Sequence, residues 1–218
     1  MKIHEEGHKV IPWALIILAV IDIMAFFLLS INWIFYSVLA LSVISGIVIV
    51  FFFRVPDREI KKNKLHILAP ADGEIVEILT VFEKDYFKEE RTQVSIFMSI
   101  FDIHQNRVPV DGEIVYQKYK KGAYYPAFVK KSSEKNERCS TVFKMENGTE
   151  IMTRQIAGTV AQRILTYKKP GELAEQGEEF GFIRFGSRVD IFLPPTFTVN
   201  VKLHQKSVGG VTVIATQK

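Results

Sequence analysis

The chain has 218 residues, 48% of them hydrophobic, with a formal net charge of +4. That length suits one domain with an appendage, and a lone cysteine, Cys139, excludes an internal disulfide framework. A pI near 9.0 suits a surface that lies against anionic lipid.

Between Val10 and Phe53 the only charged residue is Asp22. A membrane span needs about 20 apolar residues, so this run is long enough for two. Ser30-Ile31-Asn32-Trp33 interrupts it with polar groups and an interface-preferring Trp. The pattern predicts two antiparallel transmembrane helices, Val10–Leu29 and Ile34–Phe53. A cleaved signal peptide fits poorly, because its apolar core is about 7–15 residues and a small-residue cleavage site is missing. A single tilted helix is the stronger rival, although the run far exceeds a bilayer. Asp22 has no intramembrane partner visible in the sequence, which favours a protonated or interface-reaching acid over a proton path. Lys2 and Lys9 precede the run, and Arg54, Arg58, Lys61, Lys62 and Lys64 follow it. The positive-inside rule places both flanks on the cytoplasmic side of a cell membrane. The expected organisation is an anchor with basic linker over 1–64 and a catalytic domain over 65–218.

After Ile67, short β-patterned runs are punctuated by glycine and proline, with no sustained helical periodicity. The fold class expected is mainly β, a compact sandwich or barrel. Strands are predicted at Glu74–Phe82, Gln93–Ile100, Gly112–Lys118, Ser140–Lys144, Thr149–Gln155, Gly158–Ile164, Gly181–Arg184, Val189–Leu193, Thr196–Leu203 and Gly210–Ala215. PADGEIV at Pro70–Val76 and PVDGEIV at Pro109–Val115 repeat one another, each with Asp-Gly before a β-branched run. Ile156-Ala157-Gly158-Thr159-Val160 is a weaker echo. Between Lys118 and Arg138, lysines surround Tyr124-Tyr125-Pro126-Ala127-Phe128-Val129. Beside a membrane anchor this reads as a bilayer-facing or solvated loop, and no nucleic-acid partner is expected.

FGFIRFGSRVDIFLP at Phe180–Pro194 alternates apolar and polar residues like a half-buried strand, until Gly186-Ser187 breaks the pattern. A glycine there reads as a β-bulge or bend. The histidines His4, His8, His66, His104 and His204 form no zinc-ligand spacing, and no Gly-rich phosphate loop or Gly-x-Ser-x-Gly elbow is present. Ser187, His104 and Asp72 can compose a relay in which a carboxylate orients an imidazole that takes a serine proton, but spacing alone supports it weakly.

Three ordered segments, APADGEI at Ala69–Ile75, FDIHQNRVPVDG at Phe101–Gly112 and FGFIRFGSRVDIFLP, resemble the signatures of the phosphatidylserine decarboxylase family, in its short membrane-anchored form. The resemblance implies self-cleavage between Gly186 and Ser187, giving a β chain 1–186 and an α chain 187–218. Ser187 would be the nucleophile and become a covalent pyruvoyl group, with His104 as base for the cleavage and as candidate proton donor, and Asp72 orienting His104. The pyruvoyl carbonyl would form a Schiff base with the substrate's amine and replace pyridoxal phosphate as electron sink; neither that cofactor nor a metal is implied. The partners implied are phosphatidylserine, the membrane and the two chains of one precursor, with homo-oligomerisation left open. Longer members carry a second histidine where this chain has Arg107. Arginine stays protonated, so a proton-transfer role does not carry over, and Arg107, with Arg154 and Arg163, is a candidate for the substrate's phosphate or carboxylate. Two alternatives stand beside this reading. One is a non-enzymatic, membrane-anchored barrel-sandwich scaffold or adaptor, suggested by the paired PxDGEIV units; the other is a decarboxylase of an archaeal-type serine ether lipid.

Overall fold

The computed structural model describes residues 1–29, 32–127, 132–159, 163–184 and 186–217. Two compact units divide it, Met1–Asp57 and Arg58–Lys218. The first contains β1 (Lys2–Ile3), α1 (Glu5–Leu28), α2 (Asn32–Phe52) and β2 (Arg54–Val55), with β1 and β2 antiparallel. Both helices are long and apolar enough to cross a membrane. The first starts five residues earlier than expected because His4 caps it, its Nδ1 accepting the Glu6 amide at 3.1 Å. Asp22 has the partner that the sequence did not reveal: the Ser42 hydroxyl of α2 donates to its Oδ1 at 2.8 Å. Polar side chains within a helical hairpin find one another in this way when lipid offers no alternative. Ser30 and Ile31 of the expected hairpin turn lie outside the described residues.

The second unit is mostly β. It runs through β3 (His66–Leu68), β4 (Gly73–Glu83), β5 (Glu89–Met98), β6 (Gln105–Arg107) and β7 (Gly112–Lys120). A short helix α3 (Ser132–Lys135) precedes β8 (Arg138–Lys144), β9 (Glu150–Ala157), β10 (Ile164–Thr166) and β11 (Leu173–Ala174). The chain closes with β12 (Glu179–Ile183), β13 (Ser187–Leu193), β14 (Phe197–Val199), β15 (Lys206–Ser207) and β16 (Val213–Gln217). Eight strands in the order β11-β7-β8-β9-β13-β5-β4-β15 form one sheet, curled into a half-barrel. Two three-stranded sheets, β10-β12-β6 and β14-β16-β3, complete the unit.

The repeated segments occupy equivalent places. Gly73 and Gly112 each open a long strand where its backbone passes close to a neighbour's carbonyl, that of Phe97 or of Lys144. The register then shifts at the same step in both, between Ile75 and Glu77 and between Ile114 and Tyr116. The echo at Ile156 ends differently. Gly158–Ile164 was expected to be a strand, but β9 stops at Ala157 and β10 begins only at Ile164; Val160, Ala161 and Gln162 lie outside the described residues. Thr196–Leu203 likewise contracts to Phe197–Val199.

One face of the large sheet carries the main core, with Ile75, Val94, Ile96, Val189, Ile191 and Leu193 packed among Ile67, Val108, Phe180 and Ile214. On the opposite face Phe192 packs with Val142 and Met152. All seven residues of β13 are buried, so the half-buried reading of this strand is corrected. Its Arg188 and Asp190 face a second covered layer, where the α3 residue Ser133 donates to Asp190 Oδ2 at 2.6 Å. In the basic loop, Lys120 pairs with Asp85 and the Tyr124 hydroxyl donates to Glu137 at 2.7 Å. Phe128, Val129, Lys130 and Lys131 lie outside the described residues.

Burial drives the Cys139 thiol up to about 11, only partly opposed by a hydrogen bond with Thr141. Thiolate, the reactive form, is then about one part in a thousand at pH 8. The folded protein is expected to resist iodoacetamide at that pH and to react promptly in denaturant, which mass spectrometry reads directly.

Candidate active site

Position 186 precedes β13 with φ +66°, a left-handed conformation that a glycine adopts without the clash a Cβ would bring. From Ser187 onward the strand pairs without interruption on both sides, Ser187 opposite Met98 of β5 and opposite Ala157 of β9. The expected bulge is therefore a left-handed residue immediately before a regular strand. Ser187 is fully buried, and its hydroxyl points to Met98 Sδ at 3.3 Å.

His104 is also fully buried. Its Nδ1 lies 3.0 Å from the Asp102 carbonyl oxygen, and the Gly186 amide donates to its Nε2 at 3.2 Å. A carbonyl can only accept and an amide N–H can only donate, so these two neighbours assign the proton to Nδ1 and the lone pair to Nε2. The basic nitrogen thus faces the residue bonded to Ser187. Asp102 is fixed by its own turn, its carboxylate accepting from the Ser99 amide at 2.8 Å and hydroxyl at 2.7 Å.

Gly158 lies beside the Gly186 carbonyl. A Cβ built at 158 would stand 2.4 Å from the Gly186 oxygen, so the backbone of β9's end meets the peptide group that joins 186 to 187. Any side chain at 158 would displace that carbonyl.

The other residues singled out in the sequence are placed variously. The Asp72 carboxylate is gripped by Arg58, Nη1 and Nη2 each donating at 2.6 Å, and by the Gly209 amide at 2.8 Å. Arg58, read in the sequence as a topology-setting flank charge, is thus part of this cluster; nothing in its spacing announces it. Arg107 donates to the Gly177 carbonyl at 2.7 Å and to Gln105 Oε1 at 2.6 Å. Arg154 is buried on the sheet face opposite Ser187, donating to Ser140 at 3.0 Å and to Glu83 at 2.6 Å. Burial alone would raise the Glu83 carboxyl, but the Tyr86, Phe87 and Asp85 amides and Arg154 outweigh it and hold it low. Arg163 is exposed. The structure brings Ser187, Gly186 and His104 together, and draws Asn106, Gln155 and Met98 around them, three residues the sequence did not single out.

The family model described as phosphatidylserine decarboxylase matches residues 46–215. The chain belongs to that family. It is 45% identical over 216 residues to the phosphatidylserine decarboxylase proenzyme of Amoebophilus asiaticus, covering 99% of this chain and 96% of that protein. The proenzyme of Cytophaga hutchinsonii is 44% identical over 216 residues, covering 99% and 98%, and that of Parabacteroides distasonis 39% over 216 residues, with the same coverage. These matches extend along both units, helices included, so the scaffold reading falls away in favour of a decarboxylase-family chain.

Proposed function

We propose that this protein decarboxylates phosphatidylserine to phosphatidylethanolamine and CO2, after cutting its own chain between Gly186 and Ser187. The observation that carries the reading is the His104 Nε2 lone pair held against the Gly186 amide at 3.2 Å, next to the buried Ser187. A serine hydroxyl is a weak nucleophile until a neighbour takes its proton. Once the Ser187 hydroxyl turns from Met98 Sδ and displaces the Gly186 amide from Nε2, His104 Nε2 accepts that proton, Ser187 Oγ adds to the Gly186 carbonyl carbon, and the bond from that carbon to the Ser187 nitrogen breaks. The nitrogen takes the proton from His104, and an ester joins the chains. Loss of the Ser187 α-proton then breaks the Cβ–Oγ bond, leaving Gly186 as a carboxylate and residue 187 as dehydroalanine. Dehydroalanine, an enamine, shifts to its imine tautomer, water adds to the C=N bond, ammonia departs, and residue 187 becomes a pyruvoyl group. The family resemblance assigns Asp72 the orienting of His104; its carboxylate is bonded to Arg58 and the Gly209 amide, and the Asp102 carbonyl oxygen meets His104 Nδ1, so Asp72 would act on the ring indirectly.

The surroundings fit such a group. Residue 187 is enclosed, and the ladders to β5 and β9 hold it in register even when the bond before it is cut. A pyruvoyl group supplies an electron sink for the carbon that loses CO2. This chain's residues enclose that carbon, exclude water from it and, at His104, hold a proton within the same chamber. Of the arginine candidates for the phosphate or carboxylate, Arg107 is nearest in sequence to His104 and Arg163 is exposed, whereas Arg154 lies on the sheet face opposite Ser187, paired with Glu83, and is set aside. The two apolar helices would tether the unit to the bilayer that holds the substrate, with the basic flanks on the cytoplasmic side. Diacyl and ether forms of the serine lipid suit the same headgroup chemistry.

Denaturing mass analysis of the purified protein tests the reading. Two fragments, 1–186 and 187–218, the second reacting with a hydrazine reagent, are expected. A single unreactive chain in membranes that turn over the lipid overturns it.

A further inference from the structure

Gln155 stands opposite Val189 on β9, two residues from the Ala157 that pairs with Ser187, so its side chain shares the sheet face of Ser187. Asn106 approaches the same chamber from β6. Both are fully buried. Gln155 Nε2 donates to Asn106 Oδ1 at 2.8 Å and to the Leu165 carbonyl at 3.5 Å. Because both neighbours accept, the orientation of each amide is set: Gln155 turns its oxygen away, and Asn106 turns its nitrogen away. Gln155 Oε1 then has no hydrogen-bond partner among the described residues. Among the described residues Asn106 Nδ2 reaches only the Met98 thioether at 3.8 Å, a weak acceptor and the same sulfur that receives the Ser187 hydroxyl.

Two buried amides on the Ser187 side of the sheet therefore retain, among the described residues, one underused donor and one unused acceptor. Such groups are costly to leave unpaired in a folded core and mark a place where a ligand completes the bonding. The complementary ligand has an anionic acceptor and a nitrogen donor on one carbon, which is an α-amino acid headgroup. We propose that Asn106, held by Gln155, is a specificity-determining residue whose Nδ2 donates to the carboxylate of the serine headgroup, with Gln155 Oε1 accepting from its nitrogen. The proposal rests on the pyruvoyl reading, which brings the substrate's amine to residue 187. An uncharged amide suits this carboxylate. An ion pair would hold the negative charge that leaving CO2 must disperse, stabilising bound substrate more than the transition state. Arg107 Nη1 and Nη2 are engaged by Gly177 and Gln105, and Arg107 is left as a candidate for the phosphate.

Two lipids that differ by the carboxylate separate this role from a structural one. Phosphatidylserine and phosphatidylethanolamine are each incubated with the full-length protein and cyanoborohydride, and capture of the lipid amine on fragment 187–218 is read by mass. Asn106→Asp is expected to form both fragments and to capture phosphatidylethanolamine within about twofold of the unsubstituted protein. Its capture of phosphatidylserine and its kcat/KM should fall roughly 10- to 100-fold, the loss expected for a hydrogen bond to a charged group. Equal losses for the two lipids, or none for either, overturn the proposal. If Asn106→Asp stays uncleaved, Asn106→Ser is compared in the same way; failure of both variants to cleave while the unsubstituted protein does assigns Asn106 to processing and also overturns it. An uncleaved unsubstituted protein is a different result, which removes the pyruvoyl reading itself.

Discussion

Replacing Ser187 by alanine is expected to leave one uncut chain of 218 residues with no measurable decarboxylation, because the substitution removes both the attacking oxygen and the precursor of the pyruvoyl group. His104→Ala tests the next link. The ring contributes a lone pair at Nε2, with its tautomer fixed by the Asp102 carbonyl. Loss of a positioned general base costs roughly 10²- to 10⁴-fold, so the variant should accumulate precursor and cut itself over days where the unsubstituted protein finishes during expression. Gel analysis of a time course after rapid purification measures both. The two variants differ in kind: Ser187→Ala never yields fragments, whereas His104→Ala yields them slowly. Equal cutting rates in His104→Ala and the unsubstituted protein would remove the histidine from the first step. Asp72→Asn adds a comparison. Its carboxylate binds Arg58 and the Gly209 amide in the structure, so a processing defect there reports on that cluster as well as on the imidazole.

The sequence revealed the parts of this protein that depend on local pattern. An uninterrupted apolar run yields helices, Asp-Gly before a β-branched run yields the starts of β4 and β7, and Gly186-Ser187 marks a backbone change. It concealed the parts that depend on contacts across the fold. β6 reads as polar loop, since Gln105, Asn106 and Arg107 carry no strand pattern, yet all three are drawn inward by pairing with β12. The alternation in β13 suggested a wet face at Arg188 and Asp190, and only tertiary structure supplies the layer that dries it. Ser42 is twenty residues from Asp22 and one of several serines in the first unit, so nothing local selects it as partner. His104 was legible through its motif, but the atoms that decide its chemistry are main-chain groups of Asp102 and Gly186, which no side-chain pattern encodes.

The same buried layer sets the second large effect. Arg188 and Asp190 have no exposed side-chain surface, and Arg188 Nε donates to Asp190 Oδ1 at 2.6 Å. Its Nη2 donates to Ser95 at 2.7 Å and pairs with Glu77. Burial opposes the charge on Arg188, but Asp190 and Glu77 outweigh it and keep the guanidinium protonated. Removing one member of a buried pair strands the other, at about 3–5 kcal/mol, whereas replacing both with apolar groups is often near neutral. Arg188→Met is therefore expected to destabilise the second unit by that amount, and Arg188→Met/Asp190→Leu by clearly less than Arg188→Met alone. Urea titration with pulsed alkylation of Cys139, which is shielded in the folded sheet, follows the transition without a tryptophan in that unit. A double variant as unstable as the sum of the singles would refute the pairing argument. Under the proposed cut before Ser187 the consequence is sharper. Arg188 becomes the second residue of the fragment 187–218, and its bonds to Ser95 and Glu77 then cross between separate chains. Arg188→Met should release that fragment at a lower urea concentration than the unsubstituted protein requires, although the ladders of β13 to β5 and β9 keep it bound in water.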